Sequence, residues 1–285
     1  MIGGIRVIYR YTQNHLIRAG FFLPKQTYLK CSALYDFCRV LDNIADSNDE
    51  IKLKKTKFLD FQNNFNNKKF DDPIIKNMWQ LINEFNIPLK VVNDLLDGIN
   101  SDIQQSIKLN KKKDLLLYSY RVAGTVGLMM AKILRVNKKD SLKSAIDLGI
   151  AMQLTNISRD VVEDLNFGRS YINLNFEEIR STIRLSESYY ENSFYSIKEI
   201  PLSFRFAILV ARRVYRKIGY KILKKQNLEN YKKSRKIYVT KIEKIIETLC
   251  SVYDLIKLFL INKNDNDIEH NHSLIREEIN LDERI

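Results

Sequence analysis

Glycine and proline are scarce in this chain of 285 residues, which contains 9 Gly and 4 Pro. Strands and tight turns depend on these two residues, so their scarcity argues against a fold built mainly of sheet. The prolines, at positions 24, 73, 88 and 201, leave long uninterrupted stretches in which helices can form. With 45% hydrophobic residues, the chain can also bury a large core. The sequence therefore predicts an all-α fold.

Cysteines and long hydrophobic runs are also few. Cys31, Cys38 and Cys250 are odd in number and form no Cys-x-x-Cys pair, which fits a reducing cytoplasm. Residues 1–10 contain no apolar stretch of signal-peptide length, so secretion is not expected. The most apolar late run, residues 249–261, is too short to span a bilayer and is interrupted by Asp254 and Lys257. We expect a cytoplasmic chain without a transmembrane helix.

Basic residues outnumber acidic ones by 47 to 34, which gives a formal net charge of +13. Residues 263–285 hold seven acidic and three basic residues, a net charge of −4, so residues 1–262 carry +17. Such a charge suits polyanions, whether nucleic acid, an anionic membrane surface or a diphosphate. The chain is also rich in Lys, Asn and Ile throughout, as expected from AT-biased coding, and both origins of the excess charge stay open.

Oxygen-bearing side chains recur at every fourth position in two stretches that lack Gly and Pro. The first stretch contains Asp42 and Asp46, and the second contains Asn156, Asp160 and Asp164. On a helix, residues four apart lie on one face with Cβ atoms roughly 5–6 Å apart. Two like charges at this spacing destabilise an isolated helix by a few tenths of a kcal/mol. We therefore expect a cation to neutralise both ladders, as in proteins that grip metal-chelated diphosphates.

The alternative is that each ladder is simply a solvated helix face, which is the usual explanation of a single Asp-x-x-x-Asp pattern. Both ladders, however, lie within strongly apolar segments. Leu41 and Ile44 flank the first ladder, and Ile157 and Val161 flank the second. Because acids within apolar helices are seldom left without a role, the neighbours favour a functional interpretation.

Two glycines fall inside a predicted helix over residues 115–134. Gly124 and Gly127 each cost a helix interior about 1 kcal/mol relative to Ala. Either tight helix packing or a bare apolar wall for a long hydrocarbon would explain them, and both interpretations stay open.

The spacing of apolar residues divides the chain into three parts. Residues 1–24 are predicted to be irregular, residues 25–262 to form one helical domain, and residues 263–285 to be a polar, disordered tail. His270 and His272 in that tail resemble a metal pair, but a solvated tail is a poor place for ligation. Helices are predicted over residues 26–46, 74–85, 89–107, 115–134, 140–164, 177–198, 202–223 and 231–261, with a weaker one that ends at residue 65.

Three stretches resemble the motifs of the squalene and phytoene synthases, in the same order. They read YDFCRVLDNIAD at residues 35–46, YSYRVAGTVGLMM at 118–130 and IDLGIAMQLTNISRDVVEDLNFGRSY at 146–171. The second and third are most similar to the bacterial phytoene synthases. Asn43 stands where the family usually has Asp, and residues 12–16 lack the Ser of the family's N-terminal motif.

The resemblance implies a single bundle of α-helices around a central cavity, the isoprenoid synthase fold, with the two aspartate motifs facing each other across its mouth. The implied Mg²⁺ ligands are Asp42, Asp46, Asn156, Asp160 and Asp164. The four aspartates and Tyr118 would be catalytic. Arg39, Arg159, Arg169 and Tyr171 would contact diphosphate oxygens. Tyr35, Tyr118, Val122, Ala123, Gly127, Met130 and Gln153 would line the cavity, and Tyr215 would close its far side.

By this resemblance, two geranylgeranyl diphosphates would be joined head to head through a cyclopropylcarbinyl diphosphate to give phytoene. Mg²⁺, for which Mn²⁺ could substitute, would be the cofactor. No NADPH is expected, because phytoene formation needs no reductant and the sequence has no GxGxxG fingerprint. The lipid nature of substrate and product predicts peripheral contact with the inner face of the membrane.

Three alternatives are weighed against phytoene synthesis. The nearest is a squalene or dehydrosqualene synthase that uses farnesyl diphosphate. A non-enzymatic helical subunit is disfavoured because both ladders are intact. A nucleic-acid-binding bundle would concentrate Lys and Arg on a groove-reading element, whereas here they are scattered, so no nucleic-acid partner is expected.

Overall fold

The computed structural model describes residues 25–104, 106–109, 111–234, 236–260 and 272–285. The described chain is built of α-helices, so the all-α prediction is confirmed. The helices are α1 (Lys25–Ala45), α2 (Ile51–Asn66), α3 (Pro73–Phe85), α4 (Leu89–Ser101), α5 (Lys112–Ser119), α6 (Thr125–Ile133), α7 (Lys139–Asn166), α8 (Phe176–Phe194), α9 (Leu202–Leu223), α10 (Leu228–Lys233), α11 (Lys241–Leu260) and α12 (Ser273–Arg276). A helix with the length and hydrophobicity needed to cross a bilayer is absent from this described part.

Local sequence fixes several helix ends. Helix α3 begins with Pro73 in its first turn, and the Asp72 carboxylate accepts a hydrogen bond from the Ile74 N–H at 2.8 Å. It ends at Asn86, which adopts the left-handed conformation with φ of 49°. Helix α9 has the bounds that the apolar spacing predicts. Trp79 packs in the core, where it stacks on Phe65 with ring centroids 5.3 Å apart.

The centre of the bundle is α7, a helix of 28 residues that is buried over most of its circumference. Helices α6, α8 and α9 pack around it. A helix this deeply buried must satisfy or partner every polar group on its surface. Its polar residues therefore mark the parts of α7 that face something other than the hydrophobic core.

The predicted helix over residues 115–134 is divided in the structure. A π-helical turn, Tyr120–Gly124, separates α5 from α6. Beyond it, a Cβ atom added to Gly127 would lie 2.2 Å from the Ala145 carbonyl oxygen, and one added to Gly149 would lie 2.3 Å from that of Ala123. The glycines therefore allow the backbones of α6 and α7 to touch, which supports tight helix packing as their explanation.

A short parallel pair of strands was not predicted. Strand β1 (Ile107–Lys108) pairs with β2 (Arg169–Ser170), with Ile107 opposite Arg169. The predicted helix over residues 89–107 ends early, at Ser101, because its last residues form the loop that leads into this strand. The pairing holds the segment after α7 next to the segment after α4.

The prediction of a disordered tail is wrong for residues 272–285, and residues 263–271 lie outside the described residues. Ile275, Ile279 and Leu281 are buried in the main core. His272 is buried too, and its Nε2 lies 2.5 Å from the Asp147 carboxylate of α7. Three acidic residues of this segment, Glu277, Glu278 and Glu283, pair with basic residues of the domain, as Glu278 does with Lys113 at 2.6 Å. Opposite charges thus help to dock a segment whose apolar residues are few.

The predicted helix over residues 231–261 is two helices, α10 and α11, separated by residues 234–240. Glu243, Glu247 and Asp254 lie on one side of α11 and form ion pairs with Lys221, Lys217 and Arg213 of α9.

Candidate active site

An apolar cavity of about 130 Å³ lies inside the bundle. Residues of α1, α6, α7, α8 and α9 form its wall together with the turn that follows α8. Its lining is aliphatic and aromatic, with a few buried hydroxyls such as Ser141 and Ser144. A cavity with such walls suits a hydrocarbon chain.

Both aspartate ladders continue the stripes of residues that line this cavity. On α1 the lining residues Cys31, Tyr35 and Cys38 are followed, one turn later, by Asp42. On α7 the lining residues Ala145, Leu148 and Met152 are followed by Asn156. Residues three or four apart share a helix face. Each helix therefore presents apolar side chains to the cavity and then oxygen ligands at its mouth.

Four of the residues predicted to line the cavity do so, namely Tyr35, Ala123, Gly127 and Met130. The structure places the others elsewhere. Val122 faces α4, since a Cβ atom on Gly98 would lie 2.9 Å from its Cγ1 atom. Gln153 is buried on α7 beside the lining stripe.

Tyr215 does not close the far side of the cavity as predicted. It lies one turn beyond Ala211, the last lining residue of α9, and is close enough to Arg159 to influence its pKa. This puts Tyr215 toward the mouth. Phe204, near the start of α9, lines the cavity at the other end of that helix stripe.

Arg169 connects the two ladders. It follows α7 on strand β2, and its guanidinium contacts Asp46 Oδ1 at 3.1 Å, after the end of α1. The same guanidinium acts on the Asp164 carboxylate, where it favours ionisation. The first ladder and the end of the second therefore lie around one buried cation, at the same end of the bundle.

The aspartates of α7 are buried and unequally neutralised. Asp160 forms a two-point ion pair with its neighbour Arg159, in which Nε lies 2.7 Å from Oδ1. For Asp164, burial and the nearby Asp160 charge raise the pKa to about 8, against the opposing effect of Arg169. Near neutral pH, Asp164 thus binds a proton where a divalent cation would favour its ionised form.

Two side-chain amides of the same helix have atoms without a hydrogen-bond partner in the described part of the chain. Neither amide atom of Asn156 nor the Oε1 of Gln153 has one among the described residues, although both side chains are at most 3% exposed. A buried amide without a partner costs roughly 1–3 kcal/mol. Such atoms indicate a surface that is completed by a ligand.

The donor set fits a hard divalent cation, because carboxylate and amide oxygens are the ligands that Mg²⁺ and Mn²⁺ prefer. In the described part of the chain, no three Asp, Glu, His or Cys side chains are grouped closely enough to form a metal site without rearrangement. Two of the carboxylates, those of Asp46 and Asp160, instead contact arginines. A cation with its diphosphate would have to replace those contacts, and this exchange would leave Arg159 and Arg169 available for phosphate oxygens.

Sequence reasoning missed Asp102, whose carboxylate is the centre of a buried hydrogen-bonded group. The Tyr118 and Tyr171 hydroxyls donate to its two carboxylate oxygens at 2.9 and 2.7 Å, and the two rings stack. Burial raises the pKa of Asp102 to about 6, although Arg169 and both hydroxyls favour its ionised form. Asp102 lies just past the end of α4 with no partner at helical spacing, so the sequence carried no signal for it.

Tyr118 was predicted to line the cavity, and the structure places it in another environment. It belongs to a buried hydrogen-bonded group with Asp102 and Tyr171, and it is not part of the cavity wall. Burial and the Asp102 carboxylate raise the pKa of both tyrosines, which stay protonated donors. Arg39 is exposed one turn after Tyr35, and its guanidinium lies 5.8 Å from the Tyr35 ring.

Solved structures with this architecture include a dehydrosqualene synthase in complex with a ligand. It is 26% identical, aligns with a TM-score of 0.66, and the match covers 89% of this chain and 98% of that one. The expected isoprenoid synthase fold is confirmed by this likeness.

Sequence relatives agree with the structural one. A 15-cis-phytoene synthase from Pantoea ananas is 37% identical over 150 residues, which cover 45% of this chain and 48% of that protein. A phytoene synthase from Cereibacter sphaeroides is 30% identical over 237 residues, covering 72% of this chain and 66% of the relative. In the first alignment, the chain spans about half the length of the relative.

The match to a family model covers the same region as both ladders. The model, described as squalene/phytoene synthase, matches residues 13–175, which run from ahead of α1 to the segment just past β2. It includes every residue named above at the mouth of the cavity except Tyr215 on α9. The chain therefore belongs to the squalene/phytoene synthase family.

Proposed function

We propose that this protein is a Mg²⁺-dependent prenyltransferase that joins two geranylgeranyl diphosphates head to head and forms phytoene. One observation carries the proposal. On both α1 and α7, the stripe that lines an apolar cavity continues directly into a ladder of buried oxygen ligands. A site with this polarity holds a diphosphate at its mouth and a hydrocarbon chain inside.

The reaction needs a leaving group that departs with its charge and a cation that is protected from water. When bound by Asp42, Asp46, Asn156, Asp160 and Asp164, Mg²⁺ would supply electrophilic stabilisation of the leaving diphosphate. Arg159 and Arg169 would contact its oxygens, as buried guanidinium groups do with high geometric specificity. They are held within reach by their contacts with Asp160 and Asp46.

The cavity wall would serve the carbon chemistry. An allylic carbocation survives only where water and other nucleophiles are kept away. Gly127 and Gly149 line the cavity where α6 and α7 pack closely together, and Met130 and Met152 add apolar contacts. The first condensation would release one diphosphate and one proton. The cyclopropylcarbinyl diphosphate would then lose the second diphosphate and a proton.

The choice of substrate rests on the relatives. The two phytoene synthases described above support geranylgeranyl diphosphate, the substrate that the resemblance implies. The structural likeness to a dehydrosqualene synthase supports the second candidate, a squalene or dehydrosqualene synthase that uses farnesyl diphosphate. The two differ in the length of hydrocarbon that the cavity must accept.

Product analysis distinguishes the two candidates. The purified chain is given farnesyl and geranylgeranyl diphosphates together with Mg²⁺, with and without NADPH, and the extracted hydrocarbons are separated by mass. We expect phytoene in both cases, and its loss on addition of EDTA with recovery on addition of Mg²⁺ or Mn²⁺.

Two results would contradict the proposal in different ways. Squalene or dehydrosqualene as the main product would replace the first candidate by the second. Release of prenyl alcohols alone, with neither C30 nor C40 hydrocarbon, would overturn head-to-head condensation. Unchanged product formation in excess EDTA would remove the role proposed for the divalent cation.

A further inference from the structure

Helix α11 turns its apolar side outward. Ten of its residues are exposed, and nine of these are apolar, the tenth being Lys241. The nine, which we call the α11 ridge, are Ile242, Ile245, Ile246, Leu249, Val252, Tyr253, Ile256, Phe259 and Leu260, and they are 45 to 78% exposed. At 1.5 Å per residue, the ridge is roughly 27 Å long. Contiguous apolar surface of this extent on a protein marks a contact site.

The orientation of α11 is fixed by its acidic side. Arg213 of α9 contacts both Glu247 at 3.2 Å and Asp254 at 3.0 Å, and Lys221 contacts Glu243 at 2.8 Å. Glu247 and Asp254 are largely buried by these contacts. Rotation of the helix to bury the ridge would break the ion pairs and leave charges without partners, so exposure of the ridge is built into the fold.

The charge around the ridge favours an anionic partner. Lys224, Lys225 and Lys233, which we call the basic cluster, lie together where α9 and α10 meet. Lys224 is one turn past Lys221, the residue that pairs with the first turn of α11, so the basic cluster lies at the start of the ridge. Among the described residues, no carboxylate lies within ion-pair distance of Lys224 or Lys225.

A second helix is a poorer fit to the ridge. Helices that pair through such a stripe carry charged residues along its borders, which fix register and partner. The borders of the middle of this ridge are Thr248, Cys250 and Leu255, which are uncharged, and the charged residue that borders its last part, Lys257, is basic. A second copy of this chain would also bring together two proteins with a net charge of +13 each. A lipid surface requires neither register nor a charged border.

We propose that the α11 ridge docks the protein on the surface of an anionic lipid bilayer. The helix lies in the interface with its apolar side chains among the acyl chains, as amphipathic surface helices do. The basic cluster contacts the anionic headgroups at one end. Tyr253 and Phe259 lie on the ridge, and aromatic rings favour this interfacial depth. The docking does not require the proposed reaction.

Vesicle flotation with the full chain tests this docking. The protein is mixed with vesicles of phosphatidylcholine alone or with added phosphatidylglycerol. We expect binding to the mixed vesicles that weakens with salt. The variant I245Q/L249Q/I256Q should lose about tenfold or more in partition coefficient. The variant K224Q/K225Q should lose about fivefold per lysine, on mixed vesicles only.

Matched variants separate the ridge from general effects. Leu53 and Leu59 are exposed apolar residues of α2, 46 and 52% exposed, so L53Q/L59Q should bind vesicles like the wild type. D160N should also bind normally although it is expected to be inactive, so failure of docking and failure of the proposed reaction are distinguishable.

Several results would overturn the docking proposal. One is equal binding by I245Q/L249Q/I256Q and the wild type. Another is a wild type that stays with the aqueous fraction on both kinds of vesicle. If sedimentation equilibrium then shows a dimer that this ridge variant abolishes, a second copy is the occupant of the ridge.

Discussion

At the mouth of the cavity the protein buries charge, and on α11 it exposes apolar side chains. Asp42, Asp160 and Asp164 are at most 7% exposed, whereas Leu249 and Tyr253 are 66 and 68% exposed. Both regions reverse the usual distribution, in which carboxylates face water and aliphatic groups face the core. In each, ion pairs with arginine or lysine hold the unusual arrangement.

The two regions differ in how a partner would complete them. Around Asp160 and Asp164 the missing element is positive charge. Asp160 is neutralised only by its ion pair with Arg159, and the raised pKa of Asp164 favours its protonated form. Along α11 the missing element is apolar contact, since its charges are already paired with α9. Local departures from the rules of stable folding are typical of functional surfaces. The comparison predicts that mutations at the mouth affect activity, while mutations on the ridge leave the folded protein intact.

The largest effect is expected from Asp160→Asn. The change removes a charge that lies opposite Arg159 and, in the proposed function, binds the cation. Loss of one such electrostatic group lowers kcat by about 10² to 10³-fold. Steady-state product formation and far-ultraviolet circular dichroism would be measured together, and helicity should change little.

The control for this variant is Glu163→Gln on the same helix. Glu163 is partly exposed and pairs with Lys236 at 3.0 Å. It should retain activity within a few-fold of the wild type. Equal losses in both variants would show that α7 tolerates no change of charge, and the special role of the ladder would be contradicted.

A smaller effect, on the pH dependence of stability, is expected at Asp102. Its raised pKa of about 6 means that the folded protein keeps this proton above the pH, near 4, at which the unfolded chain loses it. The folded state binds more protons in this window, so Asp102 lowers the free energy of unfolding as the pH rises from about 4 to about 6. Asp102→Asn should remove this decline, which amounts to at most about 3 kcal/mol.

Urea unfolding at intervals between pH 4.5 and 7.5 would measure the change in slope. Asp60→Asn, at an exposed position of α2, is the matched control and should keep the wild-type slope. An unchanged slope in Asp102→Asn would mean that the carboxylate between Tyr118 and Tyr171 ionises like an ordinary one.

The smallest effects are expected on the two sides of α11. Arg213→Gln leaves Glu247 and Asp254 without their shared partner, and we expect a loss of about 1–3 kcal/mol in the free energy of unfolding. Leu249→Gln, on the ridge, should stay within about 0.5 kcal/mol of the wild type. Thermal and urea unfolding would measure both variants side by side. A larger loss in Leu249→Gln than in Arg213→Gln would show that the ridge is buried in solution.

Sequence reasoning worked best where function and periodicity coincide. Asp42, Asp46, Asn156, Asp160 and Asp164 were singled out because a four-residue spacing on a helix has a single geometric meaning, and in the structure Asp42 and Asn156 follow, by one turn, residues of α1 and α7 that line the cavity. Gly127 was singled out because glycine is costly in a helix, although only the packing of α6 on α7 showed why it is needed.

It failed where residues that are distant in sequence meet. Asp102 gains its importance from Tyr118, Tyr171 and Arg169, which approach it through the β1–β2 pairing and the packing of α5. Residues 272–285 seemed too polar to fold, because their basic partners Lys90 and Lys113 lie more than 150 positions away. Neither set of contacts produces a pattern that can be recognised within a short stretch of sequence.

The sequence by itself determined that this protein is helical, where most of its helices lie, and which faces of α1 and α7 carry oxygen ligands, because helix periodicity is a local property. The tertiary structure decided what those faces meet. It placed Arg169 between the ladders, took Val122 out of the cavity wall and turned the apolar side of α11 toward solvent. Burial and partner choice depend on packing between distant segments, and a single helix contains no record of its neighbours.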